Sequence, residues 1–294
     1  MTATQSRQKR RLVIVIEIKH LCKNFGRKKV LKDIDCELSQ GVYGLLGPNG
    51  SGKTTLMRCL TNLYPLTSGE IRINGISSKR GNKLRIGYLP QFFGLYRELT
   101  VKDSMRLFCE LKKVKGSDEE EIIEKCLRAV NMNQYQNIPG RKLSGGMIRR
   151  VGIAQALIRD PELILFDEPT AGLDPEERMN FKKVISHLGK EETVLISTHI
   201  VEDIEASCDY VIIMNHGEIC CVHSCKELVR IAEGKVYVCR KGDEQQIEGR
   251  YFIEKQYEED GEIYYRILTN EGCRVLTSVS PVLEDGYMCI IKEI

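Results

Sequence analysis

GPNGSGKTT, Gly47 to Thr55, follows the apolar run Val42 to Leu46 and opens a stretch, Lys53 to Leu63, whose apolar residues recur at helical spacing. Strand, glycine loop and helix, in that order, make the setting a phosphate loop requires. Gly47, Gly50 and Gly52 leave the backbone bare of side chains. Successive N–H groups can then turn inward as an anion nest, and the start of the helix adds its positive end. Gly47, Gly52, Lys53 and Thr54 meet the pattern G-x-x-x-x-G-K-[ST], in which the lysine reaches the β- and γ-phosphates and the hydroxyl binds Mg²⁺. The loop Gly47, Pro48, Asn49, Gly50, Ser51, Gly52, Lys53, Thr54 and Thr55 therefore predicts a bound nucleoside triphosphate.

Outward from the loop, strands alternate with helices. Leu12 to Ile18 and Val30 to Leu38 read as strands, and Asn74-Gly75 signals a hairpin between two short ones. Arg85 to Gln91 returns as a strand, and Leu99 to about Val130 turns helical, with the acidic run Asp118 to Glu121 as a solvated helix start. Leu163 to Glu168 (LILFDE), Thr193 to His199 and Tyr210 to Met214 are further strands. Such alternation predicts an α/β fold with a mainly parallel, helix-covered sheet whose ligands sit at the carboxyl ends of the strands. Ser224 to Gly234 carries a capping box, Ser224 with Glu227, and reads as a compact helix. Beyond it, alternation around Asp260-Gly261 predicts a small antiparallel β-rich appendage. The expected division is residues 12–222 with a helical subdomain at about 91–142, a linking helix at 223–234, and an accessory domain at 235–294.

A phosphate loop alone implies binding; LILFDE adds hydrolysis. A buried strand ending in Asp167 puts a carboxylate beside the metal, and Glu168 stands where a water would be activated for attack on the γ-phosphate. His199, at the end of another strand, is assigned to the γ-phosphate and the attacking water, and Gln91 to metal or water through its amide. Leu143 to Met147 (LSGGM) is a second small-residue helix start able to bind phosphate. Because the first nucleotide already has its loop, this suggests a composite site in which Ser144, Gly145 and Gly146 of one copy close over the nucleotide held by another.

GPNGSGKTT, GYLPQ, LSGGM, LILFDEPTAGLDP and STH together resemble, in order and spacing, the ATP-binding cassette ATPases, the nucleotide-binding subunits of ABC transporters. The resemblance covers about Leu12 to Val222. It implies a P-loop cassette with an antiparallel β subdomain and a helical subdomain that faces a membrane partner. ATP and Mg²⁺ are the implied cofactors, with Thr54, Gln91 and Asp167 at the metal. Two cassettes, identical or not, would sandwich two ATP molecules head to tail beneath an integral-membrane subunit. The resemblance assigns Gly172 to Asp174 to a loop that communicates across the dimer, with Asp174 near nucleotide, and Phe25 to stacking on adenine. Met147 departs from the glutamine usual at the fifth position of the LSGGQ pattern; SGGM followed by Arg149 and Arg150 resembles ATPase subunits of bacterial drug and peptide exporters.

Composition narrows the alternatives. A net charge of +3 over 294 residues does not mark a nucleic-acid binder, and no apolar run approaches the roughly 18 residues that cross a bilayer. Five apolar residues after the basic Arg7 to Arg11 cluster are too few for a secretory signal, so a cytosolic location, peripheral on the membrane through the partner, is expected. The 12 cysteines are scattered through strand-like and helix-like segments and read as reduced thiols. Cys220, Cys221, His223 and Cys225 could ligate a metal, although adjacent cysteines are not a familiar zinc spacing. The rival functions are a soluble ATPase of the same superfamily acting on DNA or ribosomes, and a nucleotide-dependent switch that does not turn ATP over.

Overall fold

The computed structural model describes residues 14–77, 84–114, 116, 118–190, 192–272 and 275–294. The first part of the chain runs β1 (Ile16–Phe25), β2 (Lys28–Leu38), β3 (Gly41–Leu46), α1 (Lys53–Leu60), β4 (Ser68–Ile73), β5 (Ile76–Ser77) and β6 (Ile86–Leu89). Two helices, α2 (Val101–Leu111) and α3 (Glu119–Ala129), are followed by α4 (Gly145–Leu157), β7 (Leu163–Asp167), α5 (Pro175–Leu188), β8 (Thr193–Thr198), α6 (Val201–Glu205) and β9 (Tyr210–Asn215). The chain then runs β10 (Glu218–Ser224), α7 (Cys225–Ile231), β11 (Val236–Arg240), β12 (Tyr251–Glu259), β13 (Glu262–Thr269), β14 (Thr277–Ser278) and α8 (Leu283–Lys292).

Every residue of β3, β7 and β8 is buried. Continuous apolar runs of this kind suit strands covered on both faces, and they occupy the middle of a sheet ordered β10-β9-β3-β8-β7-β6. All neighbours in it are parallel except β10 with β9. One face packs α1 and the alternating strands β1 and β2, through Leu56, Met57, Ile16 and Leu31. The other packs α4, α5 and the helices of the 101–130 region, through Val151, Phe181, Met105 and Leu127. The second sheet, β2-β1-β4-β5, is antiparallel, as is the third, β12-β13-β11-β14.

The mainly parallel core, the antiparallel sheet and the helical region match the sequence expectations, with local corrections. β1 begins at Ile16; Leu12 and the basic Arg7 to Arg11 cluster lie outside the described residues. The helical stretch from Leu99 breaks into α2 and α3, and the acidic run does open α3. Cys220 sits exposed at a bulge in β10, whereas Cys221 packs into the apolar cluster beside Val211 and Ile213 of β9. Among the described residues Cys220, Cys221, His223 and Cys225 do not converge on a metal position, and the described cysteines are free thiols.

The C-terminal part is α+β and ends in a helix the pattern did not suggest. Gly286, in the middle of α8, weakens a helical reading. A Cβ there would lie 2.0 Å from the Leu228 carbonyl oxygen of α7, so the glycine is what allows α8 to pack on α7. Leu228, Leu283 and Tyr287 then join Val201 and Ile204 of α6 in one apolar cluster.

Arg266 of β13 ties this sheet to α8, donating from Nε and Nη2 to the Asp285 carboxylate at 2.9 and 2.7 Å, with Glu254 of β12 3.3 Å away. Burial and the neighbouring Asp285 carboxylate push the Glu254 carboxyl from 4.5 up to about 8. The folded form therefore keeps a proton that the unfolded chain has already lost, and stability falls as pH rises through that window. Glu254→Gln keeps the shape and removes the titration. Its melting temperature should gain on the wild type as pH rises from about 5 to about 8, read from thermal denaturation across a pH series; a difference that does not change with pH would show that Glu254 is not held protonated.

Candidate functional site

In the sheet order, β3, β8, β7 and β6 are consecutive and parallel, so their carboxyl ends share one edge. There the chain leaves β3 into Gly47–Gly52, β7 into Asp167-Glu168, β8 into His199 and β6 into Pro90-Gln91. Gly47 is required by close approach, since a Cβ on it would lie 2.1 Å from the Met214 carbonyl oxygen of β9. The turn between β9 and β10 holds the loop from outside. Gly217 N–H donates to Ser51 O at 2.9 Å, and Gly217 O accepts from Lys32 N–H of β2 at 2.8 Å.

Lys53, the first residue of α1, is 7% exposed. Its Nζ donates to the carbonyls of Gly47, at 2.7 Å, and Pro48, at 3.2 Å, so the ammonium lies across its own loop. Burial lowers its pKa, opposed by the Glu168 and Asp167 carboxylates. Asp167 is fully buried. Its Oδ1 accepts from Thr54 Oγ1 at 3.1 Å and from Ser197 Oγ at 2.6 Å, and Oδ2 accepts from the Tyr88 hydroxyl at 3.5 Å. This oxygen-rich set, a carboxylate beside a threonine hydroxyl at the end of the phosphate loop, fits a hard divalent cation such as Mg²⁺.

Glu168 has φ +47°, in the left-handed region, which turns its carboxylate away from the strand direction. Its N–H donates to the Ser197 carbonyl at 3.1 Å and to Ser197 Oγ at 3.0 Å. His199 Nδ1 stands 3.1 and 3.0 Å from the two Glu168 carboxylate oxygens. A histidine expected at phosphate and water is thus in contact with the acid expected to activate that water.

A groove of about 720 Å³ runs along this edge. Asn49, Gly50, Gly52, Lys53, Thr54 and Thr55 line it, together with Gln91 and Glu168. Sequence reasoning missed its remaining walls, which include Lys28, Lys29 and Val30 of β2, and His216 with Gly217. Lys28-Lys29 carries no motif, but His216-Gly217 is a hairpin signal between two apolar runs. Also missed was Arg149. A basic residue on the inward face of an apolar helix is the signal that could have found it; it is buried and bonds the carbonyls that follow both β6 and β7.

Other expected site residues lie outside the groove. Phe25 is 44% exposed and meets Tyr64 edge to face at 5.2 Å, with the Lys23 ammonium 4.8 Å from its ring. Ser144 caps α4, its Oγ accepting from Met147 N–H at 3.1 Å, with Gly145 and Gly146 in the first turn. Asp174 caps α5, accepting from Glu177 N–H at 2.8 Å.

A glycine loop that opens a helix, with its lysine and threonine facing an acid on a parallel strand of the same sheet, defines a P-loop nucleotide-binding protein. The ABC transporter family profile matches residues 31–171, and the chain belongs to that family, among its ATP-binding subunits. It is 34% identical over 226 residues to an uncharacterized ABC transporter ATP-binding protein, YxlF, of Bacillus subtilis (strain 168), covering 76% of this chain and 75% of that one. It is 33% identical over 230 residues to the Nod factor export ATP-binding protein I of Rhizobium meliloti (strain 1021), covering 76% of this chain but only 65% of that relative's length. Among solved structures, an ATP-binding subunit of an ABC transporter superposes with a TM-score of 0.64 at 27% identity, over 74% of this chain and 92% of the other. A dimeric bacterial ABC transporter cassette gives 0.63 at 25% identity, over 71% and 98%. Among the described residues no helix is long and apolar enough to cross a membrane.

Replacing Lys53 by Ala removes the cation from the loop and relieves the cost of burying it. Triphosphate affinity, measured by equilibrium titration, should fall at least about tenfold, or about 1.4 kcal/mol, without loss of the folded state. Unaltered affinity would contradict a phosphate role for Lys53.

Proposed function

We propose that this chain is the ATP-hydrolysing subunit of an ABC transporter and powers a separate membrane-spanning partner, in the direction of export. The observation that carries the reading is the convergence of four parallel strand ends on one edge, where Lys53, Thr54, Gln91 and Glu168 line the groove, Asp167 is bonded to Thr54 beneath it and His199 stands behind Glu168. Residues 12–222 form the cassette, with 91–142 as the helical subdomain that meets the partner; 223–234 link it to an accessory domain at 235–294. The reading places the chain on the cytoplasmic face of a membrane. The Nod factor export relative supports the lean to export.

In this reading Gly47 to Thr55 wrap the phosphates with main-chain N–H groups, and Phe25 stacks on adenine. Lys53 swings from the Gly47 and Pro48 carbonyls to the β- and γ-phosphates, exchanging two neutral acceptors for an anion. Thr54, Asp167 and Gln91 would hold a Mg²⁺ ion, which supplies charge neutralisation at the β- and γ-oxygens. Glu168 accepts a proton from the water that attacks the γ-phosphorus as the bond to the β-bridging oxygen breaks, releasing ADP and inorganic phosphate. His199 Nδ1, within hydrogen-bond reach of that carboxylate, fixes its orientation. Ser144, Gly145 and Gly146 lie outside the groove of their own chain, which is what a cap for a second copy's ATP requires; Asp174, at the head of the neighbouring helix, faces the same junction. Positioning and electrostatics carry the catalysis.

Glu168→Gln tests the assignment, because it keeps the shape and abolishes the base. ATP turnover should drop about 10²- to 10⁴-fold while ATP affinity stays within about twofold of wild type. Turnover at the wild-type rate would remove Glu168 from the role of base.

A further inference from the structure

Arg149 lies in α4, five positions beyond the Ser144 cap and on the buried side of the helix. A guanidinium has five N–H donors in a rigid fork, and here each is matched to a main-chain carbonyl. Nε donates to Pro169 O at 2.9 Å, and Nη1 to Pro90 O at 3.2 Å and Gln91 O at 2.9 Å. Nη2 donates to Asp167 O at 3.1 Å and Glu168 O at 2.5 Å. One cation therefore gathers the segment that carries Gln91 and three successive carbonyls of the segment that carries the metal-side acid and the base.

Burial lowers the pKa of this guanidinium, and Asp167 and Glu168 oppose that effect. A buried cation is a costly way to fill space, since an apolar side chain would do so without desolvating a charge. Its directional donors are what an apolar residue lacks. They fix the peptide planes around Glu168, whose left-handed backbone persists only where its surroundings hold it. They also fix the distance from that turn to Gln91. Any shift of α4 relative to the sheet must carry both segments with it.

Resting on the proposed two-site ATPase reading, the geometry points to Arg149 as a positioning residue that joins the two nucleotide sites of a dimer. The Ser144 end of its helix docks on the partner's ATP, and its guanidinium passes that docking on to Gln91 and Glu168 at its own. Hydrolysis at one site then depends on closure at the other through the body of a single helix.

The test compares purified full-length wild type with Arg149→Gln and Arg149→Lys. Three quantities are read: ATP affinity by equilibrium titration, steady-state turnover across ATP concentration, and melting temperature. The wild type is expected to show a sigmoidal rate curve. Both variants should bind ATP within about twofold of wild type, lose at least about tenfold in kcat, and show a hyperbolic curve. Lysine, with three donors from one point, should rescue little. The inference is overturned if a folded variant keeps the wild-type kcat and sigmoidicity, if affinity and kcat fall together, or if both variants fail to fold, since the last two outcomes mark a scaffold role. A wild type that turns over with a hyperbolic curve also overturns it, and leaves the ATPase reading standing. A wild type that binds ATP without turnover overturns the ATPase reading itself.

Discussion

The arrangement depends on one carboxylate that is sealed from water and held by hydroxyls. Asp167 accepts from Thr54 of α1, Ser197 of β8 and Tyr88 of β6 while sitting at the end of β7. Four elements therefore meet on a single anion. An anion in an apolar interior is tolerated only where its lone pairs are satisfied and countercharge is near. Here Lys53 and Arg149 are the nearby cations that interact with it and supply countercharge. The same bonds fix how far the phosphate loop lies from the acidic strand end, a spacing that any ligand bridging the two must match.

The parts of this site that were legible in the sequence are those whose signal is local. Glycine spacing and a following lysine define the loop within nine residues, and an apolar run ending in two acids marks β7. Period and turn residues gave most of the strands and the helices α1 to α4 and α7, because burial on both faces or on one writes itself into the residue pattern; β10, β14, α5 and α6 were not read. Arg149, Lys28 and His216 were missed as site residues for the opposite reason. Nothing in Arg149's immediate sequence says that carbonyls from positions 90 and 169 will surround it. Helix α8 was missed because a glycine that argues against a helix locally is demanded by a neighbour nearly 60 positions earlier. His199 was placed at the right edge, but its contact with Glu168 is a fact of pairing between strands.

The C-terminal sheet is tied to the rest through α8. This helix packs on α7 and shares an apolar cluster with α6, the short helix that starts two residues after His199. Asp203 of α6 accepts from Thr170 Oγ1 at 2.5 Å, which joins the same helix to the segment following Glu168. A displacement of the tail therefore has a packed route towards the histidine, through α8 and α6, without crossing the nucleotide groove.

The turn at Gly217 bonds Ser51 on one side and Lys32 on the other. It rivets the phosphate cradle to the strand that forms the groove's outer wall. A nucleotide stripped of its terminal phosphate would meet the same wall and the same cradle at the same separation, and would seat at the same height. On the proposed reading, telling a spent ligand from a fresh one falls to the residues past the cradle, where an absent phosphate leaves Glu168 with no attacking water to orient.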